Sequence, residues 1–173
     1  MMGLAMFYCD GNFAEKSSSR YILGSIARQL FPTPLDPTGP HFKHLERLFN
    51  LGCSRAISIS ELTTTITWLS RSFNTVYIVV DGLDECSDRT SICRAISELA
   101  QENIKVLATS RPETDIASSF SAVKQLEVEE TFVQADLAIY IDWRLEHNER
   151  LKIIKPALKH DIKANLLSKS QGM

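Results

Sequence analysis

Val76-Tyr77-Ile78-Val79-Val80-Asp81-Gly82-Leu83-Asp84-Glu85 is the stretch whose reading decides the fold. An unbroken apolar run of five residues ends in three carboxylates within five positions. The run is rich in β-branched residues and too short for a self-burying helix, so it predicts a strand covered on both faces. Carboxylates at the C-terminal tip of such a strand lie where open α/β sheets bind their ligands.

Outward from that strand, the chain alternates. Leu4 to Cys9 is a compact apolar run stopped by Asp10-Gly11-Asn12, a strand followed by a turn. Lys16 to Phe31 carries Ile22, Ile26 and Leu30 at four-residue spacing, which predicts an amphipathic helix. Pro32, Pro34, Pro37, Gly39 and Pro40 then break the chain into a loop. A short helix is expected over His41 to Asn50, and a stronger one from Ser60-Glu61 with Leu62, Ile66, Leu69 and Phe73 on one face. After the acidic turn come a helix with Ile92, Ile96 and Leu99, a strand at Ile104 to Ala108, and a weaker strand at Val123 to Val128. Thr131 to Asn148 and Pro156 to Ser170 are helical with no strand between. The expectation is a parallel α/β sheet over residues 1–130, passing into a helical subdomain over 131–173.

Composition narrows the classes. The chain has 173 residues, 44% hydrophobic and 23% charged, as in ordinary soluble domains. A net charge of -2 gives no reason to expect nucleic acid as a partner, and no apolar run is long enough for a membrane span. The start, Met1 to Cys9, lacks a basic leader. Cys9, Cys53, Cys86 and Cys93 form no C-x-x-C pair and read as buried, reduced thiols of an intracellular, cytoplasmic protein. His41, His44, His147 and His160 lack catalytic partners at motif spacing and read as structural. Trp68 and Trp143 fall on apolar helix faces and read as core.

The acidic turn has the form of the metal-side half of a nucleoside-triphosphate site, the Walker B element. Asp81 is placed to hold Mg²⁺, since a triphosphate-bound Mg²⁺ takes only one or two protein carboxylates. Asp84 and Glu85 lie within reach of a water in line with a terminal phosphate, as catalytic residues that orient or deprotonate it. Arg111, after the next strand, is placed to donate to γ-phosphate oxygens, with Thr109 and Ser110 supplying hydroxyls. Each has a plainer reading. Asp81 with Gly82 could simply make a turn, Asp84 could cap a helix, and Glu85 could be an exposed first-turn helix residue favoured by the helix dipole. Arg111 could pair with Glu113 or Asp115 at the surface, and Thr109 and Ser110 could satisfy backbone groups before Pro112. The phosphate-side partner, G-x-x-x-x-G-K-[ST], is absent: none of the seven glycines is followed by Lys.

Val76–Glu85 together with Lys105–Pro112 (KVLATSRP) resembles the NACHT module of the STAND class of P-loop NTPases. The likeness is greatest to the fungal and nephrocystin-like versions found in NOD-like receptor architectures. Phe7-Tyr8-Cys9-Asp10 and Ile26-Ala27-Arg28-Gln29-Leu30 resemble its second strand and second helix. Asp136–Leu145 and Leu166–Met173 resemble its helical lid. The resemblance implies an incomplete P-loop NTPase sheet, with Asp81 as the Mg²⁺ ligand, Arg111 as the γ-phosphate sensor, and Asp84 and Glu85 as the extra acidic pair. It places a first strand and phosphate loop ahead of residue 4, with that strand lying between Ile104–Ala108 and Val123–Val128. A gap there, or a displaced fourth strand, is therefore expected.

Three functions follow as expectations. The first is a fragment of a signalling NTPase, whose parent binds Mg²⁺ with ATP or GTP, switches conformation, forms homo-oligomers, and meets protein partners through regions beyond this chain. On that reading the chain alone binds no nucleotide. The second is a non-catalytic α/β scaffold with a broken nucleotide site. The third, an unrelated metal-dependent hydrolase, is weakest, because no further His or carboxylate cluster stands at metal spacing.

Overall fold

In the computed structural model, which describes residues 1–13, 15–32, 36–100, 103–128 and 130–170, the chain forms two compact units, Met1–Lys124 and Gln125–Met173. The first is built on three parallel strands, β1 (Met2–Tyr8), β2 (Thr75–Asp81) and β3 (Ile104–Ala108), in the order β1-β2-β3. Ala5 stands opposite Ile78, and Ile78 opposite Val106, so the acidic strand is central. Its helices are α1 (Ser19–Leu30), α2 (Pro40–Ser54), α3 (Ile59–Ser70), α4 (Arg89–Leu99) and the short α5 (Thr114–Ser119). The second unit comprises α6 (Glu130–His147) and α7 (Pro156–Ser170), joined by Lys159 Nζ donating to the Leu145 carbonyl at 2.8 Å and by the Lys163–Asp142 ion pair.

Strand alternation explains the core. Ala5, Val76, Ile78, Val80 and Ile104 all turn to one face, where they join Ile22, Leu23, Ile26 and Leu30 of α1, Ile66 and Leu69 of α3, and Ile92, Ile96 and Leu99 of α4. Gly3 belongs to this face because a Cβ there would stand 3.1 Å from the Phe73 ring and from Val76. The opposite face is open: Leu4, Met6, Tyr8, Tyr77 and Leu107 are all exposed. The expectation of a sheet covered on both faces is therefore overturned for this unit. An apolar run records the hydrophobicity of both faces but not whether each finds a layer to pack against.

The two sheet edges differ. Gln29 lies along β1, accepting from the Met6 N–H at 3.0 Å and donating to the Met6 carbonyl at 2.9 Å, so its carboxamide takes the place of a neighbouring strand. On β3, Val76 N–H bonds the Asn103 carbonyl and Thr109 N–H bonds the Val80 carbonyl. By alternation, the backbone groups of Ile104, Val106 and Ala108 then point away from β2. No strand adjoins them among the described residues. The fourth strand expected at Val123–Val128 is a correction. It is irregular chain with Val123, Leu126 and Val128 exposed, because a short apolar run becomes a strand only where a ladder receives it.

Helix boundaries moved for identifiable reasons. Ser18 caps α1 by accepting from the Tyr21 N–H, so the helix starts later than Lys16. Helix α2 starts on Pro40 at its first turn and runs to Ser54, past the expected Asn50, yet buries no residue. Helix α3 starts early because Ser58 and Glu61 form a capping box: Ser58 Oγ accepts from Glu61 N–H at 3.2 Å and Glu61 Oε2 from Ser58 N–H at 2.9 Å. Arg55 clamps the same carboxylate. The buried Thr63, Thr65 and Ser70 of α3 each donate to a carbonyl one turn back, so their hydroxyls are satisfied. Helix α5 was not expected from the sequence, and Gly172-Met173 lies outside the described residues.

Removing the box by Ser58→Ala is expected to cost about 1 kcal/mol, read from thermal unfolding. Arg55 and the Ser58 donors hold the Glu61 carboxyl well below the usual carboxylate range. A pKa lowered in the folded state stabilises above the ordinary glutamate value, about 4.3, and that stabilisation is lost as pH falls below it. Glu61→Gln should therefore be less stable at neutral pH and less sensitive to acid. An unchanged acid limb would assign the sensitivity elsewhere.

Candidate functional site

Parallel strands bring their C-terminal ends to one edge, and every candidate residue lies at that edge, on a strand's last residue or in the segment that follows it. β2 ends at Asp81. Gly82 then turns the chain with φ +75°, a left-handed conformation suited to glycine, and Leu83–Glu85 forms one turn of 3₁₀ helix. Thr109 follows β3. Its hydroxyl donates to Asp81 Oδ1 at 2.5 Å and accepts from the Gly82 N–H at 3.1 Å. Asp81 is thus held by one oxygen and is itself exposed.

Arg111 meets Asp84. The Arg111 N–H donates to Asp84 Oδ1 at 3.0 Å, and its guanidinium Nε lies 3.6 Å from Asp84 Oδ2. The Asp84 side chain is only 10% exposed and the Arg111 side chain 69%, so the carboxylate forms a fixed base beneath a cation that reaches into solvent. The surface pairing of Arg111 with Glu113 or Asp115 is not adopted; Arg89 engages those two acids. Ser110 donates locally to the Arg111 carbonyl at 2.6 Å.

Glu85 turns toward the first strand instead. Its Oε2 accepts from the Gly11 N–H at 2.8 Å, while Cys9 N–H bonds the Asp81 carbonyl at 2.8 Å. One residue on, the Cys86 thiol donates to the Ser17 carbonyl at 3.1 Å, and Ser87 donates to the same carbonyl through N–H and hydroxyl. Asp88 accepts from the Ser19 N–H at 2.8 Å and from its hydroxyl, clasping the start of α1. The neighbouring Cys86 thiol holds the pKa of Cys9 below the ordinary thiol value, and the neighbouring Cys9 thiol, with burial, raises that of Cys86.

Asp81 is thus brought together with Thr109, Asp84 with Arg111, and Glu85 with Gly11, while Ser110 faces its own backbone. The roles of Asp88, Gly11 and the Cys9–Cys86 pair escaped the sequence. Their only signal was position: Cys9 ends the predicted first strand, Gly11 lies in the turn after it, and Cys86 and Asp88 lie between the acidic turn and the next helix. Two other expectations are corrected. Trp143 is 52% exposed and stacks on His147 rather than joining a core, and Cys53 is exposed. His41 and His44 flank Trp68 and reach Ser72 and Thr65, which agrees with a structural role.

Asp81 suits a divalent cation: one oxygen is anchored by Thr109 and the group stands at the solvent edge. Among the described residues no three His, Cys, Asp or Glu side chains converge to hold a metal unaided. No described helix is long and apolar enough to cross a membrane.

The fold and this edge define an α/β protein with an open parallel sheet and a charged cluster at its strand ends. Residues 2–111, more than half of the chain, match the nephrocystin 3 N-terminal family, and the chain belongs to that family. No curated protein and no solved structure matches it.

Proposed function

We infer that this chain is the metal-side half of a NACHT-type nucleotide switch, of the P-loop NTPase class. The observation that carries the reading is the strand-end constellation: Asp81 oriented by Thr109, and beside it an exposed Arg111 seated on a nearly buried Asp84. In this reading Asp81 holds Mg²⁺ through water and Arg111 addresses the γ-phosphate. Asp84 fixes Arg111, Glu85 orients the attacking water, and Ser110 offers its hydroxyl oxygen as an acceptor. Bound Mg²⁺ would neutralise charge developing on the terminal phosphates of ATP or GTP. The phosphate loop comes from outside these residues and docks its strand on the edge of β3 away from β2, where the backbone groups of Ile104, Val106 and Ala108 meet no strand among the described residues. Residues 1–130 then serve as the nucleotide core and 131–173 as the opening of a lid that couples nucleotide state to self-association and protein partners.

The scaffold reading is favoured by a different observation, the exposed apolar sheet face of Leu4, Met6, Tyr8, Tyr77 and Leu107. Calorimetric titration separates the two. The 173-residue chain should show no saturable binding of Mg²⁺-ATP or Mg²⁺-GTP at micromolar concentration, because no glycine loop or lysine grips the β- and γ-phosphates. A longer chain with an upstream phosphate loop should bind. Failure of the longer chain to bind either nucleotide would leave the scaffold.

A further inference from the structure

Two cysteines lie on the two segments that the strand-end network ties together. Cys9 leaves the end of β1 beside Asp81, its backbone N–H on the Asp81 carbonyl, and its Cβ would stand 3.8 Å from a Cβ placed on Gly82. Cys86 closes the 3₁₀ turn four residues after Gly82, with its thiol pointed back at the loop that follows β1. Gly11 to Glu85, Ser87 to Ser17 and Ser19 to Asp88 bracket the pair on both sides, so the backbones on either side of the two sulfurs are already fixed at close range. Cys9 is half-buried against the margin of the core and Cys86 is 5% exposed, so the more accessible of the two cysteines has the sheltered one on the adjoining segment.

We propose that Cys9 and Cys86 are a peroxide-oxidisable dithiol whose disulfide staples the loop after β1 to the acidic turn. The Cys9 sulfur attacks one oxygen of hydrogen peroxide. The O–O bond breaks, the second oxygen leaves as water with the thiol proton, and Cys9 becomes a sulfenic acid. The Cys86 sulfur then attacks the Cys9 sulfur, the S–O bond breaks, and the hydroxyl departs as water with the Cys86 proton. Two thiols lose two electrons in all, and one peroxide becomes two waters. The Ser17 carbonyl loses the Cys86 donor but keeps both donors of Ser87, so closing the bond orphans no acceptor. The disulfide would hold Glu85 and Asp84 against the first loop, and this assignment does not depend on nucleotide binding.

The four cysteines fall in four different tryptic peptides, residues 1–16, 48–55, 72–89 and 90–94, which makes the linkage directly readable. The whole chain is treated with equimolar hydrogen peroxide, its remaining thiols are alkylated, and the digest is analysed by mass spectrometry. The expected product is peptide 1–16 joined to peptide 72–89 and released by dithiothreitol, with Cys53 and Cys93 alkylated. Its thermal midpoint should rise by roughly 5–10 °C over the reduced chain. In Cys86→Ser, oxidation should stop at Cys9 as a dimedone-reactive sulfenic acid. The linkage in the unaltered chain decides the matter even if that variant folds poorly. Alkylation of both Cys9 and Cys86 after peroxide, or a disulfide that joins only Cys53 of two molecules, would overturn the assignment.

Discussion

Ile78→Ala is expected to destabilise the first unit by about 2–5 kcal/mol. Ile78 is 1% exposed in the middle of the central strand, opposite Ala5 on one side and Val106 on the other. Both neighbours are fixed in register by parallel ladders, so the sheet cannot close over the missing carbons. The lost transfer energy and the cavity therefore add. Urea unfolding should show the loss as a lowered midpoint at unchanged slope. Leu107→Ser on the open face makes the control: its side chain is 58% exposed, and a shift within about 0.5 kcal/mol is expected. A comparable loss at Leu107 would mean that the open face is covered in solution.

Asp81→Ala in a chain carrying the phosphate loop should lower hydrolysis by on the order of 10²-fold while changing nucleotide affinity much less. Ground-state binding would rest mainly on the loop's N–H groups and lysine, whereas a carboxylate-held cation matters most when charge develops on the transferred phosphoryl group. Thr109→Val should give a smaller loss, since it removes only the hydroxyl that orients Asp81. Single-turnover rates beside equilibrium titrations make the comparison. Equal losses in rate and affinity for Asp81→Ala would move Asp81 from the reaction to simple binding.

Much of the fold was legible in the chain because the signals are local. The length of the Val76–Val80 run, bounded by Asp81-Gly82, placed the central strand to within a residue, and the four-residue spacing of Ile22, Ile26 and Leu30 placed α1. Caps shifted the ends where a side chain competed for backbone donors, as Ser18 and Ser58 do. Val123–Val128 misled because its composition suits a strand, while strand formation needs hydrogen-bond partners contributed by a neighbour.

The site divides the same way. The residue types at the strand ends, Asp81, Asp84, Glu85, Thr109 and Arg111, stand in the sequence, because an acidic turn after a buried strand is a local pattern. Their partnerships do not. Asp84 holding Arg111 and Thr109 holding Asp81 join residues 27 and 28 positions apart, and Glu85 reaches back 74 positions to Gly11. Only the parallel register, which sets Tyr8 beside Asp81 and Val80 beside Ala108, decides those pairs. Which sheet face is covered and which edge is open were likewise settled by where the helices and Gln29 come to rest, because burial belongs to the packed layers and not to the run of residues that forms a strand.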